Sequence, residues 1–265
     1  QYVYSVDRIL YKGKSPYQEI MVFENDYFGK VLVLDGVVQL TEKDEFFYHE
    51  MLVQVLMHAH KEPKRVVVIG GGDGGAVREV VRHETVEKVF FVEIDREVTE
   101  VSKRFFPTVS SAVDNPKVEI HNMDGAEFIR GHSGEFDVVI VDSTDIIGFA
   151  RSLFTVEFFK AVKDSLRDGG MFVTLSESLH FHRDMVVEVQ KTMMSVFPKV
   201  DLYTAPIATY AGNWWTFSCA SVGPDMRQPL RQEAPGLKYY SHDIHRQAFL
   251  PESLYSKLLN GELNW

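Results

Sequence analysis

Hydrophobic and polar residues along this chain follow two different patterns, and the first one ends near residue 45. Short runs rich in β-branched and aromatic residues predict extended strands. These runs are Tyr2–Val6, Gln18–Phe23 and Val31–Leu40. Lys12–Lys14 and Asn25-Asp26 are typical of turns, and Asp35-Gly36 between apolar residues is a strong hairpin signal. Residues 1–45 therefore predict a small antiparallel β domain.

From residue 46 onward, apolar strands alternate with amphipathic helices. Phe46–His58 carries apolar residues at helical spacing, and Pro63 follows it. The predicted strands are Arg65–Gly70, Lys88–Ile94, Lys117–His121, Phe136–Asp142, Met171–Ser176, Val200–Ala205 and Trp214–Ala220. Such alternation predicts a doubly wound α/β domain over residues 46–265 with a parallel sheet. We expect the last strand to enter antiparallel through a hairpin, and a closing helix to cover Pro251–Asn260.

The composition is that of an ordinary globular protein and narrows the possible partners. The 265 residues include 28 Lys and Arg against 38 Asp and Glu, a formal net charge of −10. An acidic chain disfavours a nucleic-acid partner, and no apolar run approaches the roughly 18 residues of a membrane span. Gln1–Tyr11 lacks the apolar core of a signal peptide. If the chain begins at its natural start, we expect a cytoplasmic protein.

The single cysteine and the scattered histidines add little chemistry. Cys219 has no partner for a disulfide within the chain and lies in an apolar run, so we interpret it as a buried small hydrophobe. His180, His182, His242 and His245 lack a compact metal-ligand motif, so no metal is expected. Trp214-Trp215 fits a strand at a sheet edge or an interface better than a cation-binding cage.

A glycine-rich loop marks the strongest candidate binding site. Ile69–Gly75 follows a predicted strand and opens a helix, and Glu93 ends the next strand about 20 residues later, where an acid commonly binds ribose hydroxyls. The pattern predicts a nucleoside site. Asp73 stands inside the loop, where it would repel a pyrophosphate. The ligand we expect is therefore a cationic nucleoside without phosphate, such as an adenosyl sulfonium.

Two further acidic groups follow predicted strands. Asp124-Gly125 follows Lys117–His121, and its acid can bind an adenine amino group or an ammonium, or cap a helix. Those alternatives stay open from the sequence alone. Asp142 and Asp145 follow the apolar run Phe136–Val141, at the strand end where open α/β sheets bind ligands. Two acids three residues apart can bind one amine and accept its proton.

Several stretches, in the same order along nearly the whole chain, resemble the spermidine synthases. They are Ser15–Gln18, Val31–Gln39, Asp44–Met51, Gly70–Gly75, Arg78–Val80, Glu93–Asp95, Asp124-Gly125, Asp142–Asp145, Ser152–Phe154, Ala208–Tyr210 and Tyr239-Tyr240. The resemblance implies an N-terminal β domain on a class I methyltransferase-like Rossmann sheet, assembled as a homodimer or homotetramer. It also implies an aminopropyltransferase that needs no cofactor.

The resemblance also implies roles for particular residues. The donor, decarboxylated S-adenosylmethionine, would be bound by Gln18, Asp73, Glu93, Asp124 and Gly125. Glu93 would hold the ribose, Asp124 the adenine and Asp73 the donor's ammonium group. The acceptor site would contain Tyr48, His49, Asp142, Asp145, Tyr210 and Glu177, with Gln39 at its edge. Asp142 would act as general base, and the acceptor most expected is putrescine, which yields spermidine and methylthioadenosine.

The chain departs from the family in two segments that border the implied acceptor pocket. Ile146–Arg151 lacks two prolines common in the family and carries Phe149 and a cation, Arg151, where an anion is usual. Leu175, Leu179 and His180 replace glutamines and an aromatic residue. Arg151 beside a diamine would be unfavourable, so a longer amine or a carboxylate-bearing amino acid is an alternative acceptor. Equally, Arg151 could face solvent or a neighbouring subunit.

Two other functions remain as rivals. One is a methyltransferase that uses intact S-adenosylmethionine on the same fold. The acid in the glycine loop, Asp73, and the pair Asp142 and Asp145 disfavour it. The other is a polyamine-binding protein without catalysis, which the full set of expected acids disfavours.

Overall fold

The computed structural model describes residues 3–144 and 148–263, and the N-terminal part of the chain forms a four-stranded antiparallel sheet. Its strands are β1 (Arg8–Lys14), β2 (Glu19–Asn25), β3 (Gly29–Leu34) and β4 (Val37–Thr41), in that spatial order. The predicted hairpin at Asp35-Gly36 is confirmed. Both residues have positive φ, 48° and 81°. That backbone fits a two-residue turn whose twist matches the flanking strands.

Two predictions about the first strands are wrong. Lys12–Lys14 is not a turn, because Gly13 and Lys14 pair with Ile20 and Glu19 of β2 and so end β1. The chain turns instead at residues 15–18, where the Ser15 hydroxyl accepts hydrogen bonds from backbone N–H groups of the turn. Within the predicted run at residues 2–6, residues 3–6 belong to no strand. Asn25 binds Ser5 through its side-chain amide, which replaces a ladder of backbone bonds.

The rest of the chain builds a seven-stranded, mostly parallel sheet. Its strands are β5 (Arg65–Gly70), β6 (Lys88–Val92), β7 (Val118–His121), β8 (Phe136–Asp142), β9 (Leu166–Ser178), β10 (Lys199–Pro206) and β11 (Trp214–Ser221). The spatial order is β10-β11-β9-β8-β5-β6-β7. Strands β5 to β9 pair in parallel, whereas β11 is antiparallel to both β9 and β10. The predicted fold class and the closing antiparallel hairpin are confirmed.

Helices cover both faces of this sheet. They are α1 (Glu45–Ala59), α2 (Gly75–Val81), α3 (Arg96–Phe105), α4 (Gly125–Arg130), α5 (Val156–Ser165), α6 (Arg183–Met194), α7 (His242–Ala248) and α8 (Glu252–Leu259), with 3-10 helices at Ser110–Ala112 and Gly148–Phe154. One core packs α1 and α2 on the sheet, and a second packs α4, α5 and α6 on the opposite face. The predicted closing helix corresponds to α8, while α7 was not predicted.

A third core joins the two sheets. Ile20, Val22 and Leu32 of the N-terminal sheet pack against Val98 and Val101 of α3. This contact sets the antiparallel sheet over the carboxyl ends of β5, β6 and β8, where an open α/β sheet binds its ligand. The division of the chain after residue 45 stays a prediction; β4 ends at Thr41, and α1 begins at Glu45.

Candidate active site

A cavity of about 800 Å³ lies between the N-terminal sheet and the carboxyl ends of β5, β6 and β8. Eleven of the residues predicted for the site line it together: Gln18, Gln39, Tyr48, His49, Asp73, Glu93, Asp124, Gly125, Asp142, Glu177 and Tyr210. Asp145 lies outside the described residues. The structure thus brings the predicted residues into one place, while their individual roles stay predictions.

The glycine loop after β5 is in direct contact with the end of β8. Gly70 and Gly71 have φ of 78° and 66°, a left-handed conformation that favours glycine. A Cβ on Gly71 would lie 2.6 Å from Oδ2 of Asp142, and the Gly71 N–H donates to the Asp142 carbonyl at 2.6 Å. The glycines therefore allow the loop to approach the Asp142 carboxylate closely.

Asp73, at the turn from this loop into α2, belongs to a buried chain of alternating charges. Its Oδ1 lies 3.3 Å from Nε2 of His49, whose Nδ1 lies 2.6 Å from Oε2 of Glu45. Arg78 donates to both Glu45 oxygens. Burial opposes a charge on His49, but the Asp73 and Glu45 carboxylates outweigh it and hold the pKa of His49 well above its usual range. His49 is therefore an imidazolium that partly neutralises Asp73.

Two residues of the predicted donor end, Glu93 and Gln18, are each held by a short hydrogen bond to Asp95. Glu93 accepts the Asp95 N–H at 2.7 Å. Burial, with the Asp95, Asp142 and Asp73 carboxylates nearby, raises the pKa of Glu93 to about 7. Gln18 donates its side-chain amide to Oδ2 of Asp95 at 2.8 Å, which joins the N-terminal sheet to the start of α3. Asp95 was not predicted as a site residue.

Asp124 has one of the roles that the sequence left open, that of a helix cap, and it also lies at the cavity. Its Oδ1 accepts the Glu127 N–H at 2.9 Å and caps α4, and its side chain also lines the cavity. The cap and a ligand contact are therefore compatible. Gly125 allows close packing at this point, because a Cβ there would lie 2.1 Å from Cγ2 of Ile69.

Asp142 lies between the donor end and the other half of the cavity. The Tyr48 hydroxyl donates to its Oδ1 at 2.7 Å, and its buried Oδ2 has no hydrogen-bond partner among the described residues. Burial and the nearby Asp73 carboxylate raise the pKa of Asp142 to about 6. A carboxylate with a raised pKa and an unpartnered oxygen is suited to accept a proton.

The acceptor end combines aromatic rings with one buried acid. The Tyr210 hydroxyl donates to the Gln39 carbonyl at 2.6 Å, and its ring lies 4.5 Å from Trp215 and 5.6 Å from Tyr48. Glu177 is 3% exposed, has a φ of 76°, and lies 3.4 Å from Nδ1 of His182. This end can enclose an apolar chain with a cation at its terminus.

Residues 45–228 match the domain family described as spermine/spermidine synthase domain, and residues 1–42 match a spermidine synthase tetramerisation domain. The chain belongs to the spermine/spermidine synthase family of aminopropyltransferases. The predicted family and the predicted enzyme class are confirmed.

Related proteins and structures span nearly the whole chain. The chain is 52% identical over 265 residues to the polyamine aminopropyltransferase of Hydrogenobaculum sp. (strain Y04AAS1), covering 100% of this chain and 95% of that protein. It is 41% identical to the spermidine synthase of Schizosaccharomyces pombe, covering 92% and 85%. A spermidine synthase crystallised with the transition-state analogue AdoDATO superposes with a TM-score of 0.91 at 37% identity, covering 97% and 90%.

Among the departures from the family, only one of the four side chains considered lines the cavity. Leu175 does so, whereas Leu179 packs in a separate core with α6 and α8. Arg151 and His180 are exposed and do not line it. Nothing is described of the Phe149 side chain. The alternative acceptors were suggested mainly by a cationic Arg151 beside the acceptor pocket, and Arg151 does not line that pocket.

Trp215 was missed as a residue of the site. Trp214-Trp215 was predicted to lie at a sheet edge or an interface, and the edge is wrong, because β10 forms the edge and β11 pairs on both sides; the interface stays a prediction. Trp215 lines the cavity, and its buried Nε1 has no hydrogen-bond partner among the described residues. The sequence did carry a signal for Trp215. It lies at the start of the second strand of the predicted hairpin, shortly after Ala208–Tyr210, which contains a predicted site residue.

Residues 3–144 and 148–263 contain no group of three or more His, Cys, Asp or Glu side chains arranged to hold a metal. Helices in the same ranges are too short or too polar to cross a bilayer. Cys219 is buried, as predicted, and burial raises the pKa of its thiol.

Proposed function

We propose that this chain transfers the aminopropyl group of decarboxylated S-adenosylmethionine to putrescine, giving spermidine and methylthioadenosine. The observation that carries the proposal is the environment of Asp142. This buried carboxylate lies between the glycine-rich loop and an aromatic-walled pocket, with one oxygen bound by Tyr48 and the other without a hydrogen-bond partner among the described residues.

The donor end supports binding of an adenosyl sulfonium. Glu93 is available to the ribose, Asp124 and Gly125 to the adenine, and Gln18 to the opposite side of the nucleoside. Asp73 would bind the donor's ammonium group. Because His49 already neutralises part of the Asp73 charge, the attraction is smaller than that of a free carboxylate.

The reaction requires a neutral amine, and Asp142 is the residue proposed to remove the proton from the acceptor's ammonium group. An alkylamine is protonated at neutral pH, and the resulting ammonium has no lone pair for attack. Asp142 accepts one of its protons, and the freed nitrogen attacks the aminopropyl carbon that is bonded to sulfur. The new C–N bond forms as the C–S bond breaks, and its electron pair leaves with sulfur as neutral methylthioadenosine. The step balances without a cofactor, so we expect none.

The second ammonium of the diamine would bind at the Glu177 end. Glu177 and Asp145 are the acids proposed for that end, and Tyr48, His49 and Tyr210 complete the acceptor pocket. The alternative acceptors, a longer amine or an amino acid with a carboxylate, had been favoured by Arg151. Since Arg151 is exposed and does not line the cavity, putrescine is the acceptor that the charges favour.

We also propose a homo-oligomer, either a dimer or a tetramer, assembled through the N-terminal sheet. The match of residues 1–42 to a tetramerisation domain supports it, as do the exposed apolar side chains Val3 and Ile9, at 84% and 55%. Light scattering coupled to size exclusion measures the mass. A monomer at micromolar concentration would contradict the proposal.

Product identification tests the function directly. The purified chain is incubated with decarboxylated S-adenosylmethionine and an equimolar mixture of putrescine, spermidine and amino acids, and products are identified by mass spectrometry. We expect spermidine and methylthioadenosine. A parallel reaction with intact S-adenosylmethionine tests the methyltransferase rival, because a methylated amine in that reaction would support the rival. Preference for an amino acid or a longer amine would contradict putrescine as acceptor.

A further inference from the structure

A buried carboxylate outside the cavity binds the loop that covers the acceptor end. Asp44 occupies the N-cap position of α1 and is 7% exposed. An Asp at this position normally accepts a hydrogen bond from the first turn of its own helix. The Asp44 side chain makes no such bond. Its oxygens bind other parts of the chain instead.

The donors to Asp44 come from two segments. Thr209 donates twice, from its backbone N to Oδ2 at 2.9 Å and from its hydroxyl to Oδ1 at 2.5 Å. Thr41, the last residue of β4, donates its hydroxyl to Oδ1 at 2.6 Å. All three donors are neutral. A buried carboxylate depends on such donors for its solvation, so it fixes Thr209 in place.

Thr209 belongs to the loop of residues 207–213 that joins β10 to β11. The next residue, Tyr210, lines the cavity and packs on Trp215. The same loop is also tied to the N-terminal region, where the Tyr4 hydroxyl donates to the Thr209 carbonyl at 2.5 Å. Asp44 therefore joins β4, the start of α1 and this loop. The ring of Tyr48 in α1 contacts the ring of Tyr210 in the loop edge-on, with centroids 5.6 Å apart.

We propose that Asp44 is a positioning residue for the amine acceptor, which acts by holding the 207–213 loop so that Tyr210 and Trp215 close the acceptor pocket. The inference rests on the proposed aminopropyl transfer. Asp44 does not line the cavity, so its effect passes through Thr209. The donor end contains no residue of the loop and should not depend on it.

The test is Asp44→Asn, which keeps the shape of the side chain. The amide replaces one accepting oxygen with an NH₂ group, so at least one of the three hydrogen bonds loses its acceptor. We expect the KM for putrescine to rise about tenfold or more, while the KM for the donor changes by less than about twofold. Hydrogen exchange at residues 207–213 should become faster, since their protection depends on local opening.

Glu50 offers a matched control on the same helix. It is also buried, and it accepts the backbone N–H groups of Lys238, Tyr239 and Tyr240, none of which lines the cavity. Glu50→Gln should lower the thermal midpoint without raising the KM for putrescine. An equal rise in both variants would mean that Asp44 acts only through general stability, and would overturn the proposal.

A pair of variants at Thr209 covers the case in which Asp44→Asn does not fold. Thr209→Val removes the hydroxyl and should raise the amine KM, whereas Thr209→Ser restores the donor and should return it to the wild-type value. An amine KM unchanged in Thr209→Val would overturn the proposal. If the wild-type chain transferred no aminopropyl group, only the proposed function would be contradicted. Hydrogen exchange would still test the role of Asp44, because faster exchange of the 207–213 loop in Asp44→Asn than in Glu50→Gln would support it.

Discussion

The two ends of the cavity are built in different ways. The proposed donor end, apart from Gln18, comes from consecutive turns of one parallel sheet: the glycine loop follows β5, Glu93 follows β6, and Asp124 follows β7. The acceptor end collects Tyr48 from α1, Glu177 from β9, Tyr210 from the 207–213 loop and Gln39 from the N-terminal sheet. The parallel sheet itself positions most of the donor end, whereas the acceptor end forms only where segments distant in the sequence pack together. Substitutions at the donor end should therefore change the KM for the donor, and substitutions at the acceptor end the KM for the amine.

The largest expected effect lies where the two ends meet. Asp142→Asn removes the proposed proton acceptor while keeping the side-chain shape, so kcat should fall by about 10²–10⁴-fold, the range for general bases. Binding of methylthioadenosine, measured by calorimetry, should stay nearly intact. Tyr48→Phe is the control, because it removes only the hydrogen bond to Oδ1 and should cost less. Turnover of Asp142→Asn close to that of the wild type would refute the assigned base.

A change at the donor end should affect the donor alone. Glu93→Gln should weaken the proposed hydrogen bonds to the ribose hydroxyls, each worth about 1.5–3 kcal/mol when one partner is charged, so the donor KM should rise about 10- to 100-fold. The putrescine KM should stay within about twofold. Initial rates with each substrate varied in turn measure both constants. Equal shifts in the two would show that the ends are not separable.

The pH dependence should report the carboxylate at the junction. Asp142 must be ionised to accept a proton, and its pKa is raised to about 6. The rate should therefore be nearly flat above pH 7 and fall about tenfold per pH unit below pH 6. The measurement is kcat/KM for putrescine from pH 5 to pH 8 at saturating donor. Binding of a cationic donor favours the carboxylate, so the break should lie somewhat below that of the free protein; a break above pH 7 would contradict the assignment.

The smallest effect is expected at Arg151. Because its side chain is exposed and does not line the cavity, Arg151→Gln should change the KM for putrescine by less than about twofold, the usual scale for surface substitutions. The ratio of kcat/KM between putrescine and an amino acid acceptor is the sensitive measurement. A large shift of that ratio toward putrescine would revive the alternative acceptor.

The donor end was predictable because its signals are local. The glycine loop, Glu93 and Asp124 each follow an apolar strand directly, and strand ends of a parallel sheet meet at one edge. The acceptor end was predicted through the resemblance, which marks residues but not the bonds that hold them. The bond from Thr209 to Asp44 joins residues 165 apart. Gln18 is the exception at the donor end: it was predicted only through the resemblance, and its bond to Asp95 joins residues 77 apart. Spacing in a sequence carries no record of such contacts.

The errors have the same physical origin. Lys12–Lys14 has the composition of a turn, yet pairing with β2 determines its conformation. For Trp214-Trp215, the edge alternative was wrong because a sequence gives strand identity but not spatial order. Arg78 was noted only as part of a resembling stretch, while its partner Glu45 lies 33 residues away.

The contact between Gly71 and Asp142 has a consequence for how the enzyme rejects the wrong nucleoside. The loop proposed to bind the donor donates a backbone hydrogen bond to the residue proposed to accept the proton. A nucleoside that seats poorly and shifts this loop would also shift the base. Such a molecule would be discriminated against twice, once by weaker binding and again by slower chemistry. Donor analogues that fit imperfectly should therefore show a lower kcat in addition to a higher KM.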